Sequence, residues 1–165
     1  MSGRAEADPT TLDLSPGECM ERTRKGVLNV LVGVAVVVAI TGLLLRGRRE
    51  PLLASVPERL EETMSLALIL IFVFSALLRR ALSRPGLAAG SNGCRRFYWG
   101  HVGPALVGAA AAPLGLVHGW LILPRLEAVL PYWVVSMALG IMAYPRAYEL
   151  ERLEPRRTAS GGKGR

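Results

Sequence analysis

Four long, nearly charge-free apolar stretches constrain this chain more than anything else in it. The spans they predict are 27–45, 63–80, 102–123 and 126–144. A helix rises about 1.5 Å per residue and a bilayer's hydrocarbon core is about 30 Å thick, so each stretch is close to crossing length. Four crossings in 165 residues leave little for a water-soluble domain. The expected fold class is therefore all-α: a polytopic membrane protein built as a four-transmembrane-helix bundle, with lipid as its first partner. Residues 1–26 form an amino-terminal segment, 27–145 the transmembrane domain, and 146–165 a basic tail whose end, from Arg156, has a disordered composition.

The charges lie outside the spans or at their very ends, as with Arg79, Arg80 and Glu127. If four helices cross, fifteen of the twenty Lys and Arg residues fall on the face shared by the two termini and the middle connection. The other five are Arg46, Arg48, Arg49, Arg59 and Arg125. That bias predicts cytoplasmic termini and residence in the cell (cytoplasmic or inner) membrane. Basic residues that flank apolar spans act as anchors, so nucleic acid is not an expected partner. Residues 1–26 lack a short apolar core with a small-residue cleavage site, so the first stretch is expected to stay as the first helix. Cys19 and Cys94 fall on the cytoplasmic side of this scheme and are expected to be separate thiols.

The first span holds thirteen Val, Leu or Ile side chains. At ~0.3 to 0.6 kcal/mol each they favour insertion by roughly 4 to 8 kcal/mol. Ser55, three residues before Glu58, reads as a capping box, so the second helix should begin near Val56. It should run past the snorkelling Arg79 and Arg80 to a stop at Pro85 and Gly86. Tyr98, Trp99, Trp120, Tyr132, Trp133 and Tyr144 cluster at span ends, as interfacial aromatic belts do.

The third span is unlike the others. It has only nine strongly apolar residues, padded with Ala, Gly and Pro. Gly108, Ala112, Gly115 and Gly119 recur at helical spacing and draw a small-residue stripe down one face, ending in a GxxxG pair. Such a stripe lets another backbone or a flat ligand approach closely. Pro113 should kink the helix near its middle. His101 lies at the cytoplasmic edge, where it reads as an interfacial anchor or a ligand. His118 lies about five residues inside the outer end, where an ionisable group faces the bundle interior and is a functional candidate.

Arg95 to Trp120, with Arg-Arg-Phe-Tyr-Trp-Gly-His, then Gly108, then His118-Gly119-Trp120, resembles the haem-bearing helices of ferric-reductase-like and cytochrome b-type membrane proteins. The resemblance implies haem b as a cofactor and His118 and His101 as candidate axial ligands. It departs from those families in two ways. The two histidines are seventeen residues apart, which turns one roughly 100° from the other and separates them by about 25 Å. No second helix of the chain offers opposing histidines. Folding the last hairpin about residue 127 or 128 would bring Met137 to the depth of His118, as a possible second ligand.

No span carries Asp, Glu, Lys or Arg in its middle, which argues against a charged pathway through this chain alone. Hydrolytic motifs and Cys/His metal clusters are absent from the sequence. Two functions are left. One is an accessory subunit that associates, as a homo-oligomer or with other membrane proteins, through the small face of its third helix. The other is a haem b electron-transfer component.

Overall fold

The computed structural model describes residues 15–47, 58–82 and 93–152. Among these the chain is helical without strands: α1 (Pro16–Arg46), α2 (Glu58–Leu82), α3 (Gly93–Ala109), α4 (Ala111–Leu121) and α5 (Leu126–Ala143). A 3-10 turn, Ala147–Arg152, follows. Joining α3 and α4 as one span, four helices are long and apolar enough to cross a membrane.

The first helix starts earlier than expected. α1 begins eleven residues before its apolar stretch, because Ser15 and Glu18 close a capping box with Pro16 in the first turn. The Ser15 backbone N–H donates to Glu18 Oε2 at 2.8 Å, and the Glu18 N–H returns to Ser15 Oγ at 3.3 Å. Residues expected to form a separate amino-terminal segment are thus helical, and Cys19, Met20 and Thr23 among them are buried. The expected capping box at Ser55, the start near Val56 and the stop at Pro85 and Gly86 lie outside the described residues, as does the tail beyond Arg152.

That early start overturns the expectation of two separate thiols. It brings α1 down to the level at which α3 begins, and Cys19 and Cys94 join in a disulfide with Cα atoms 5.7 Å apart. At about 1.5 Å per residue, the 31 residues of α1 extend roughly 46 Å, longer than a hydrocarbon core. The surplus lies at the amino-terminal end, alongside the first turns of α3.

The third span is interrupted at Ala110. Pro113 has no N–H to offer the Ala109 carbonyl, and the ladder shifts register there. The Ala110 N–H goes to Val107 O at 3.2 Å and the Leu114 N–H to Ala110 O at 3.4 Å. Ala110 keeps right-handed helical dihedrals, so the break bends the span without reversing it.

The order of packing explains the composition of this span. α3 touches α1, α2 and α5, α4 lies along α5, and α1 does not touch α2. The third span is therefore the central one: half of its most apolar window is buried, against 6% for α2. A helix surrounded by protein needs little lipid-compatible surface. It needs small side chains, so that three neighbours can come close. Val27, Val102, Ala105 and Ala143 form the packed centre where α1, α3 and α5 meet, with Leu31 and Tyr98 against it.

Candidate functional site

The small stripe is where sequence and structure meet most closely, and the chain covers it with its own helices. A Cβ on Gly108 would lie 2.6 Å from Leu139 Cβ. One on Gly115 would lie 2.8 Å from Tyr132 Cβ, and one on Gly119 would lie 2.6 Å from Val129 Cγ2 and 2.8 Å from Leu45 Cδ1. Real Cβ atoms do not approach so closely, so these glycines are required by α5 and by the end of α1. Ala112 is fully buried on the same side. The face expected to meet another chain is, along these glycines, packed against α5 and the end of α1 of its own chain, and it holds the last two spans together as a hairpin.

His118 sits among these glycines, 6% exposed. Its Nδ1 is 3.2 Å from the Tyr132 hydroxyl, with ring centroids 5.3 Å apart. In a neutral imidazole protonated on Nε2, Nδ1 accepts from the phenol, and each ring satisfies the other's buried polar atom. Tyr132, expected in the interfacial belt, is instead buried, 3% exposed. The signal that finds it is the turn. Gly108 with Leu139, Gly115 with Tyr132, and Gly119 with Val129 all centre on residue 124. The hairpin therefore folds at Pro124 and not three residues later, and that shift replaces Met137 by Tyr132 as the neighbour of His118.

Met137 stands elsewhere. It is 36% exposed and lines a groove between α1 and α5. At 100° per residue it is turned about 140° along α5 from Tyr132.

His101 belongs to a second polar cluster at the amino-terminal end. Its Nδ1–H donates to Phe97 O at 2.9 Å, since a carbonyl only accepts. Its Nε2 is 3.0 Å from Glu149 Oε2, which also accepts the Arg146 N–H at 2.9 Å. His101 is buried and Glu149 nearly so. When the ring is protonated both nitrogens donate and the contact is an ion pair. The cluster fastens the start of the basic tail, through Arg146 and the 3-10 turn, to α3. Sequence reasoning missed Glu149 because it is one acid among several in a charged segment.

The residues do not fit a haem within one chain. Val129, Tyr132 and Leu45 fill the space beside Gly115 and Gly119, His118 faces Tyr132, and both nitrogens of His101 are engaged. Met137 opens onto a different face. Among the described residues no group of three His, Cys, Asp or Glu side chains is placed to hold a metal ion.

Other buried polar side chains also serve the fold. Thr23 donates to Cys19 O at 2.8 Å and Thr41 to Val37 O at 2.7 Å, each back to its own helix. Ser75 of α2 donates to Pro104 O of α3 at 3.0 Å, which ties the peripheral helix to the central one.

No protein-family model matches the chain, and no curated protein or solved structure is similar to it. The likeness of Arg95 to Trp120 to haem-bearing helices thus has only its own residues behind it.

Proposed function

We propose that this chain is a membrane-embedded association subunit, acting through helix contacts with a second copy or with another membrane protein. Its termini lie on the cytoplasmic face of the cell membrane. The observation that supports this reading is the shape of α2. One narrow face of that helix, through Met64, Ser75 and Leu78, turns toward the bundle, and only Ser75 is deeply buried. Opposite it, Leu66, Leu70, Val73 and Leu77 are each 44–58% exposed. Ile69, Phe72 and Phe74 are as exposed, so the outward side is apolar throughout, and these four keep the four-three-four spacing a partner helix would use. The functional face moves from the third helix, whose stripe is occupied within the chain, to the second.

The cytoplasmic placement rests on the fifteen-to-five division of Lys and Arg. It puts the Cys19–Cys94 pair at an end where glutathione and thioredoxin keep thiols reduced. In this reading the two sulfurs are neighbours because α1 and α3 are, and the bond itself depends on the prevailing redox state.

Photo-crosslinking from residue 70 in intact membranes tests the association. A benzoylphenylalanine in place of Leu70 is expected to give a protein adduct larger than the 17.8 kDa chain. Leu66→Ala combined with Val73→Ala should reduce that adduct several-fold while leaving insertion intact. Lipid adducts alone would overturn the proposal.

A further inference from the structure

A groove of about 320 Å³ lies between α1 and α5, lined by Ala35, Val38, Ala39, Trp133, Val134 and Met137. It is open along its length and almost wholly apolar. On α1 its floor is made by Ala35 and Ala39. Gly42 continues the same face, with Trp133 Cη2 3.9 Å from where its Cβ would be. Ala35, Ala39, Gly42 and Arg46 follow at offsets of four, seven and eleven, so the floor leads straight to an exposed guanidinium at the last turn of α1.

We propose that this groove holds the acyl chain of a glycerophospholipid whose phosphodiester is bound by Arg46. Two observations converge on that occupant. The rise from Ala39 to Arg46 is about 10 Å, comparable to the distance that glycerol and the ester linkage put between a phosphate and the body of an acyl chain. Arg46 supplies a planar, permanently charged fork suited to a phosphate, at the depth where a headgroup lies.

The inference uses the membrane reading but not the association through α2, and its test separates the two. The full chain is reconstituted into nanodiscs containing phosphatidylglycerol and the diacylglycerol with the same chains. It is then released into mild detergent for native mass spectrometry. The wild type is expected to retain one phosphatidylglycerol, at least tenfold in preference to diacylglycerol. Arg46→Gln changes only an exposed side chain and should abolish that preference. Ala39→Phe fills the groove and should remove both lipids, with a thermal melt to confirm that it folds. Equal retention by wild type and both variants would overturn the proposal. So would Ala39→Phe dispersing a dimer while lipid retention is unchanged, since the occupant would then be a second copy.

Discussion

At the scale of the residue, a few side chains hold the interior of the third span together. Tyr132→Phe removes one hydroxyl and leaves the packing. Hydrogen bonds between membrane helices average about 0.6 kcal/mol and reach about 1.7, so a loss of roughly 0.5–1.5 kcal/mol is expected in thermal unfolding in detergent. A loss above that range would mean the phenol has partners beyond His118. Gly119→Leu is a different kind of change, because Val129 and Leu45 occupy the space it needs. Overpacking costs about 1–3 kcal/mol where a core can adjust, and here two neighbouring helices would have to move apart. Met137→Leu, in the open groove, should change stability by less than about 1 kcal/mol. Because the site does not fit a haem, the purified chain should show no Soret absorption. A band that disappears in His118→Ala would reverse that conclusion.

Much of this was legible one residue at a time. A histidine flanked by two glycines, deep in an apolar span, can only face protein, and His118 does. What could not be read was its partner, since that depends on where a short Pro-containing turn reverses. A shift of three residues in the centre of the hairpin turns a different face of α5 toward His118.

At the scale of the element, the apolar stretches locate the helices well and their ends poorly. Hydropathy marks where a helix meets lipid, whereas helix ends are set by caps and prolines. Ser15, Pro16 and Glu18 extend α1 well past its apolar stretch, and the polar composition of that segment conceals the extension. The disulfide was missed for the same reason, because Cys19 meets Cys94 only if α1 continues down to it. Closing a loop of 75 residues would stabilise a soluble protein by roughly 4 to 5 kcal/mol on a chain-entropy basis. If both helices are inserted in one bilayer, as the proposed function has it, they have far less freedom to lose and the effect should be smaller. Cys19→Ser is expected to lower the thermal midpoint of the oxidised protein to the value of the wild type under reductant. Equal midpoints with and without reductant in the wild type would show that the bond carries no stability.

At the scale of the whole molecule, one arrangement accounts for the uneven hydrophobicity of the four spans. The span poorest in large apolar residues is the central one, and the peripheral α2 carries Leu, Ile and Phe almost all round. Composition alone could not distinguish a small-residue helix that meets another chain from one that meets its own neighbours. Both need the same glycines, and only the path of the chain tells them apart. The most direct test is an isotope-filtered nuclear Overhauser experiment on the protein in nanodiscs, with labelled and unlabelled chains mixed. The account predicts contacts from the Gly119 α-protons to the Val129 and Leu45 methyls, and from Gly108 to Leu139, all within one chain. The same contacts appearing between labelled and unlabelled chains would contradict it.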